Sequence, residues 1–323
     1  MARSPIGGGA TSPNLTVDAR PLREVGRRPW RFGTLLEPYL YLSPALILIT
    51  LTTFVPLIVG LSYAFQNIAI LNPFKTGFVG LANFETLLFK DKIFWRSLVN
   101  TIWWTAGSLA FQFFLGLGLA LLLNRPFKGR RVVQALVFLP WAVPTFLSGL
   151  TFAWLFNPII GPLPHWMAAL GLLSEPYNIL GDPSLAMWGP ISANVWFGIP
   201  FFAITLLAAL QAIPNELYEA AAIDGATAWQ GFIKVTLPFL APMIAITVLL
   251  RTIWISNFAD LVVVMTGGGP ANATQILPSY IFTTAYKKLD FGYASAIATA
   301  LLLLLFLYAA ILIQMRKRLP DTT

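Results

Sequence analysis

The chain of 323 residues contains no cysteine and only one histidine, His165. The lack of cysteine excludes disulfide bonds, thiolate metal sites and cysteine nucleophiles, and a lone histidine argues against a histidine-based metal or acid–base centre. Charged residues make up only 11% of the chain, whereas 57% of the residues are hydrophobic and the mean hydropathy is +0.72. A soluble domain carries more charge than this. The composition therefore predicts an integral membrane protein.

The sequence also lacks the motifs that mark covalent catalysis: paired carboxylates at catalytic spacing, a nucleophile elbow and an HExxH metal motif. The glycine triplet at residues 267–269 is not a phosphate loop, because no lysine followed by serine or threonine comes after it at the required spacing. We therefore expect this chain to have no enzyme activity of its own and to bind no metal and no cofactor.

Six apolar runs are long enough to cross about 30 Å of hydrocarbon, which requires about 20 residues in a helix. They lie at residues 39–65, 97–123, 132–155, 187–210, 239–264 and 293–314. The expected fold is all-α, a polytopic bundle of six transmembrane helices within residues 36–315. Residues 1–35, rich in Gly, Pro, Ser and Arg, are expected to form a disordered basic tail, and residues 316–323 a second short tail.

The positions of the basic residues set the expected orientation, because Lys and Arg are retained preferentially on the cytoplasmic side. With the N-terminus inside, fourteen of the 21 Lys and Arg residues fall on the cytoplasmic side, six fall outside, and Arg251 lies within a span. Both termini are therefore predicted to be cytoplasmic. The net charge of +8 is explained by basic residues beside lipid headgroups, and no basic face with exposed aromatic residues indicates nucleic-acid binding.

Residues 212–238 form a polar segment between the fourth and fifth apolar runs. Asn215 is placed to cap a helix over residues 216–224, since an asparagine side chain can accept from the first free N–H groups of a helix. Gly225 is placed to end that helix, because a residue without Cβ tolerates the left-handed conformation.

A second short helix is predicted directly afterwards, because Thr227 and Gln230 have the spacing of a capping box. Two short polar helices between two spans have no packing role in lipid. The 212–238 segment is therefore predicted to present a docking surface to something outside the membrane.

Three groups of motifs resemble a known family. They are Glu219-Ala220-Ala221 with Asp224-Gly225-Ala226, Phe232 and Leu237-Pro238; Thr266-Gly267-Gly268-Gly269-Pro270 with Thr274; and Phe138-Leu139-Pro140-Trp141 with Pro144. The first group resembles the cytoplasmic signature loop of ABC importer membrane subunits that are served by an external binding protein. The other two groups are similar to the carbohydrate branch of that family.

The resemblance implies the type I ABC importer fold and a permease subunit of an ATP-driven sugar importer in the plasma membrane of a prokaryote. The partners that it implies are a second, different permease subunit, two ABC ATPase subunits that use ATP and Mg, an extracytoplasmic sugar-binding protein and membrane lipid. In this family the signature loop forms the coupling helix, which sits in a groove of the ATPase subunit. The residues that the resemblance assigns to ATPase coupling are Glu216, Glu219, Ala220, Ala221, Asp224, Gly225, Ala226, Trp229 and Phe232.

Polar residues within the apolar runs are candidates for the substrate path, because ionisable groups are unfavourable in lipid. Asn257 and Asp260 lie three residues apart and are predicted to share one helix face toward the cavity, where they can bind sugar hydroxyls. Arg251 is expected to pack against neighbouring carbonyl groups or a partner subunit. Asn194 interrupts the fourth run, and Trp196 can stack on a sugar ring. Hydrogen bonding between helices is the alternative role for these side chains.

Two predicted outer segments, residues 81–88 and 165–173, have the pattern of short amphipathic helices at the membrane interface. The alternative function is a self-contained secondary transporter or channel for a polar solute. That alternative predicts internal duplication of the spans and ionisable residues in several helices, and a membrane enzyme would need clustered catalytic groups at one depth. The sequence contains none of these features. It leaves the identity of the sugar open.

Overall fold

The computed structural model of the chain describes residues 32–71 and 76–316. Most of the predicted basic tail, and the predicted second tail after residue 316, lie outside the described residues. The chain divides into two compact units, Met1–Val55 and Pro56–Thr323. The described part of the first unit is helix α1, Phe32–Ile49, which passes directly into a π-helical segment, Thr50–Phe54.

The remaining described residues are mainly helical. Their helices are α2 (Val55–Tyr63), α3 (Ala82–Phe89), α4 (Lys92–Asn124), α5 (Arg130–Val137), α6 (Leu139–Ala142), α7 (Thr145–Leu155), α8 (Pro162–Ala169), α9 (Trp188–Gln211), α10 (Asn215–Ile223), α11 (Ala228–Gly231), α12 (Leu237–Ser256), α13 (Asp260–Met265), α14 (Leu277–Phe282) and α15 (Phe291–Arg316). Helix α3 occupies the predicted segment 81–88, and α8 overlaps the predicted segment 165–173 but begins earlier and ends at Ala169, so two short helices are confirmed at these places. Their location on the outer side of the membrane stays a prediction.

A small antiparallel pair of strands departs from the all-α expectation. Strand β1, Gln66–Asn67, pairs with β2, Gly77–Phe78. Each strand has only two residues, which is too short to produce the alternating pattern by which a strand is recognised in a sequence.

Five helical runs in the described part of the chain are long and apolar enough to cross a membrane. They are Pro38–Tyr63, Lys92–Asn124, Trp188–Gln211, Ala228–Met265 and Phe291–Gln314. Each corresponds to one of the predicted apolar runs, which confirms a multi-span helical membrane protein. The third predicted run is different, because residues 132–155 are divided among α5, α6 and α7.

Proline explains the break in the third run. Val143 has an extended conformation, with ψ 123°, and Pro144 directly precedes α7 with ψ 138°. Proline has no N–H to donate, and it disfavours the helical conformation of the residue before it. The prediction of one continuous third helix is therefore wrong at this point.

The fifth predicted run is also interrupted. Helix α12 ends at Ser256, residues 257–259 are not helical, and α13 begins at Asp260. The Asn257 side chain donates from Nδ2 to the carbonyl of Ile253 at 2.9 Å, a local hydrogen bond that competes with continuation of the helix. Because of this break, the prediction that Asn257 and Asp260 share one helix face is wrong.

The second short helix of the 212–238 segment is not a separate element. Helix α11 continues through a π-helical segment, Phe232–Thr236, into α12 without a break. The candidate span therefore begins at Ala228, inside the polar segment. Pro238 lies in the first turn of α12, where the preceding residues have already left the regular α-helical pattern.

Helices α4, α9 and α12 pack closely against one another. A Cβ at Gly116 of α4 would overlap Phe202 of α9, so glycine allows these two helices to approach. Trp104 of α4 is fully buried, and its Nε1 donates to the carbonyl of Ile255 in α12 at 2.9 Å. This three-helix core positions the cavity described below.

Asp91 ties the beginning of α4 to two later elements. Its Oδ1 accepts hydrogen bonds from the backbone N–H groups of Ile93 and Phe94, and its Oδ2 accepts from the hydroxyls of Tyr280 and Tyr293, both at 2.6 Å. Partial burial raises the pKa of the Asp91 carboxyl, but these four hydrogen bonds stabilise the charged form more strongly, so its pKa is lowered overall.

Candidate functional site

A cavity of about 360 Å³ lies against α9 and α12, where the polar substrate-path residues were predicted. Its lining residues are Asn194, Phe197, Arg251, Ile253, Trp254, Ile255, Asn257 and Phe258. The structure therefore brings together three of the five predicted substrate-path residues: Asn194, Arg251 and Asn257. A cavity with polar groups among aromatic rings can offer both hydrogen bonds and flat apolar faces to a solute.

Arg251 is the buried cation of this cavity, with only 5% of the residue exposed. Its Nε donates to Oε1 of Gln112, a residue of α4, at 2.7 Å. The guanidinium also lies 5.9 Å from the centre of the Phe201 ring. The expectation that Arg251 packs against a neighbouring carbonyl group is confirmed, and the carbonyl belongs to a side chain.

Asn194 and two aromatic residues complete the cavity wall. Asn194 is fully buried, and neither the nitrogen nor the oxygen of its side chain has a hydrogen-bond partner among the described residues. Phe197 and Phe258 stack on each other, with ring centres 5.9 Å apart and an interplanar angle of 16°. The wall thus combines this buried amide with a broad aromatic surface.

The other two predicted substrate-path residues do not line this cavity. Asp260 is exposed, and its Oδ2 accepts a hydrogen bond from the Thr145 hydroxyl at 3.1 Å. Trp196 lies against Phe152 and lines a different cavity, of about 310 Å³. Two residues of α-helix turn a side chain by about 200°, so Trp196 must face away from Asn194.

The 212–238 segment has the predicted local structure with one correction. Helix α10 begins at Asn215, so Asn215 is the first helical residue and Pro214 occupies the N-cap position, where no side-chain capping hydrogen bond forms. Pro214 directly precedes the helix, with an extended ψ of 135°, so the predicted capping role of Asn215 is wrong. Gly225 has φ +75°, which confirms the left-handed end of α10. The capping box is also confirmed, because Thr227 and Gln230 exchange hydrogen bonds between side chain and backbone.

The predicted coupling residues lie on the accessible surface of this segment. Glu216, Glu219, Ala220, Asp224, Gly225 and Trp229 are exposed, and Ala221, Ala226 and Phe232 are half-buried. The hydroxyls of Tyr218 and Thr236 lie 2.9 Å apart and brace α10 against the beginning of α12. This hydrogen bond therefore links the two helical parts of the surface.

Two large apolar side chains project from the 212–238 segment. Ile223 is 87% exposed and Trp229 is 67% exposed, and the Trp229 ring stacks on Phe232 at 5.7 Å. Beside them, an open groove of about 710 Å³ runs between the end of α4 and the small residues of α10 and α11. Exposed apolar groups on a polar segment are typical of a protein interaction site.

Sequence analysis does not identify four residues that the structure places at these sites: Gln112, Phe197, Ile223 and Phe258. Gln112 could have been nominated from the sequence, since it is one of only two amides, with Asn100, in the apolar run at residues 97–123. Ile223 could also have been nominated from the sequence, because it is a large apolar residue in a polar segment. Phe197 and Phe258 could not have been nominated, because nothing in the sequence distinguishes a phenylalanine that lines a cavity from one that faces lipid.

The family model described as the binding-protein-dependent transport system inner membrane component matches residues 112–318. The chain belongs to this family. The match covers both the cavity and the 212–238 segment, so the family assignment extends to the two candidate sites.

Two similar proteins are permeases. The trehalose/maltose transport system permease protein MalF of Thermococcus litoralis is 41% identical over 221 residues, 68% of this permease and 74% of the relative. The sulfoquinovosyl glycerol transport system permease protein SmoG of Agrobacterium fabrum is 35% identical over 269 residues, 83% of this permease and 86% of the relative.

A solved structure supports the fold. One chain of a bacterial ABC transporter involved in the import of the acidic polysaccharide alginate superposes on this permease with a TM-score of 0.77 and 26% identity, over 90% of this chain and 98% of that chain. The resemblance drawn from the sequence motifs is thus confirmed. The permease is a membrane subunit of a binding-protein-dependent ABC transporter, and the comparisons support this function over a self-contained secondary transporter or channel.

Proposed function

We propose that the permease imports a carbohydrate across the plasma membrane of a prokaryote. It forms half of the translocation pathway, and two separate ATPase subunits hydrolyse ATP with Mg to drive the transport. Support comes from the relatives, whose names specify trehalose/maltose and sulfoquinovosyl glycerol transport, and from the solved alginate importer.

The proposal rests most directly on the exposed surface of the 212–238 segment. Ile223 and Trp229 present exposed apolar surface, the Trp229 ring being stacked on Phe232, and the hydrogen bond between Tyr218 and Thr236 links α10 to the helix that carries Trp229. A braced surface transmits force to α12, because α11 continues into α12 without a break. ATPase movement against this segment would therefore displace the helix that carries Arg251.

The cavity at α9 and α12 is the proposed contact site for the sugar. Arg251 and Asn257 supply hydrogen-bonding groups, and the stacked rings of Phe197 and Phe258 supply a flat face. Sugars have hydroxyls around the ring and apolar C–H faces, so both kinds of group are needed. Trp196 and Asp260 have no place in this contact.

The assembly that we propose contains a second, different permease subunit, two ATPases and an extracytoplasmic sugar-binding protein. The solved alginate importer was crystallised with a pentasaccharide-bound periplasmic protein, which supports the last of these partners. We further propose six spans, with the broken α5–α7 segment crossing as the third, and cytoplasmic termini. This arrangement places the 212–238 segment on the side of the membrane where ATP is present.

Reconstitution in liposomes tests the proposal. The permease is purified with its partner subunits, and ATP-dependent uptake of labelled trehalose and maltose is measured with and without the binding protein. We expect uptake only when ATP, the ATPases and the binding protein are all present. Equal uptake by the isolated permease without ATP would contradict the proposal and support the self-contained transporter.

A further inference from the structure

We propose that Gln112 is a positioning residue for sugar recognition, which holds the Arg251 guanidinium in the cavity wall so that its terminal amino groups can bind the solute. This inference rests on the proposed function. It adds a residue of α4, which does not line the cavity, to the residues that determine recognition.

Arg251 needs such a partner because its charge is not neutralised nearby. No carboxylate of the described residues forms an ion pair with Arg251. The ion pair in this part of the chain joins Lys90 and Glu85, which lie far from α12 in sequence. Among the described residues, Gln112 is the residue whose side chain forms a hydrogen bond with the Arg251 guanidinium. Both terminal amino groups therefore keep donors for a solute, whereas Nε is fixed.

The orientation of the Gln112 amide is determined by its two contacts. Its Oε1 accepts from Arg251 Nε at 2.7 Å, and its Nε2 donates to the carbonyl of Asn194 at 2.8 Å. Exchanging the two ends of the amide would place an NH₂ group against the guanidinium and an oxygen against a carbonyl, so only one orientation is compatible. Gln112 is also fully buried, so both hydrogen bonds form away from bulk solvent.

Gly198 supplies the space in which this contact forms. A Cβ on Gly198 would overlap both the side-chain amide of Gln112 and the guanidinium of Arg251. Gly198 lies one helical turn after Asn194, whose unpartnered side-chain amide is in the same cavity wall. Three helices thus contribute to one arrangement: α4 orients the arginine, α12 carries it, and α9 makes room for it.

The test uses Gln112→Met, which keeps the length of the side chain and removes both hydrogen bonds. In the reconstituted complex, the measured quantity is the amount of maltose imported per ATP hydrolysed. We expect this ratio to fall about tenfold, because a hydrogen bond that orients a buried charge is lost. ATP hydrolysis stimulated by the loaded binding protein should remain, since the 212–238 segment is untouched.

The matched control is Ser108→Ala, one helical turn earlier on α4, where a fully buried hydroxyl has no partner among the described residues. It should keep the wild-type ratio. Gln112→Glu keeps an acceptor for Arg251 but loses the donor to the Asn194 carbonyl, so it should retain more of the ratio than Gln112→Met and less than the wild type. If Gln112→Met does not assemble, Gln112→Asn carries the same test, because its shorter side chain cannot reach both partners.

The double variant with Arg251→Leu distinguishes positioning from general packing. If Gln112 acts through Arg251, adding Gln112→Met to Arg251→Leu should cause no further loss of the ratio. Additive losses, or a wild-type ratio for Gln112→Met, would overturn the inference. A wild-type complex that imports neither trehalose nor maltose nor any other carbohydrate tested would instead contradict the proposed function.

Discussion

At the scale of single residues, the side chain of Asn257 has two roles that can be separated. It donates to the carbonyl of Ile253 at the end of α12, and it lines the cavity beside Arg251. Asp260, three residues later, lies outside the cavity. The two polar groups thus differ in their access to the cavity although they are close in sequence.

This difference gives a first prediction. Asn257→Ala should lower maltose uptake by the reconstituted complex about fivefold to tenfold, because one hydrogen bond to the solute is lost. Asp260→Asn should leave uptake within about twofold of wild type, since its amide can still accept from Thr145. The reverse order of effects would show that the solute passes Asp260 instead.

A second residue-scale prediction concerns pH. The lowered pKa of Asp91 means that its contribution to stability is complete above the ordinary Asp value of about 3.9 and is lost as the pH falls through the folded-state pKa. Asp91→Asn keeps an acceptor for the cap of α4 but removes the charge that the two tyrosine hydroxyls bind. We expect the Tm at pH 7 to fall by about 3 °C.

The measurement is the Tm of the detergent-solubilised permease between pH 7 and pH 3. The loss caused by Asp91→Asn should shrink as the pH falls below about 4, because Asp91 then takes up a proton in the unfolded chain before it does so in the folded protein. Tyr280→Phe and Tyr293→Phe should each reproduce part of the loss at pH 7. A pH-independent loss would show that Asp91 acts only as a neutral acceptor.

At the scale of elements, the close contact of α4 and α9 depends on glycine. A Cβ at Gly116 would overlap Phe202, whereas a Cβ at Gly118 would meet nothing within 4 Å. We predict that Gly116→Val lowers the free energy of unfolding by about 1–3 kcal/mol through overpacking. Gly118→Ala should be neutral or slightly stabilising, because alanine favours the helix. Equal stability of the two variants would contradict this packing.

The 212–238 segment gives a prediction about coupling. Ile223→Ser should reduce ATP hydrolysis stimulated by the loaded binding protein at least about tenfold, because an exposed apolar anchor at an interface is lost. The Tm should stay within about 1 °C of wild type, since a side chain that is 87% exposed contributes little to folding. Leu170→Ser is the matched control, at 75% exposure after α8, and should not alter hydrolysis.

The sequence predicts the spans because apolar length alone determines whether a helix can cross the bilayer. It also predicts the end of α10, because the left-handed conformation at Gly225 requires a residue without Cβ. It fails at residues 257–259, where no glycine or proline marks a break. That break accompanies the stacking of Phe258 on Phe197, a contact between residues 61 positions apart in the chain that no local pattern can indicate.

The cavity was predicted only in part for the same reason. Asn194, Arg251 and Asn257 stand out as polar residues in apolar runs, so each could be nominated singly. Their meeting in one wall depends on the packing of α9 against α12, and the role of Gln112 depends on α4 as well. The apolar periodicity of a single helix does not predict the angle at which it packs against another helix or the contacts that result.

At the scale of the whole molecule, the absence of cysteine allows the orientation to be tested with single introduced thiols. Ala222 and Ser174 are both exposed and lie on opposite sides of the membrane in the proposed topology. Ala222→Cys should react with a membrane-impermeant maleimide only from the cytoplasmic side, and Ser174→Cys only from the outer side. Labelling of both from the same side would contradict the proposed six spans, which place α9 as a crossing between them.

The central claim is that ATP-driven force enters this permease through the 212–238 segment. Cross-linking of Ala222→Cys to the ATPase subunit in the assembled, actively importing complex tests it most directly, with Ser174→Cys as the control. We predict a cross-linked product for Ala222→Cys alone, whose yield changes when ATP binds. A complex that hydrolyses ATP and imports maltose while Ala222→Cys stays unlinked in every nucleotide state would contradict the claim.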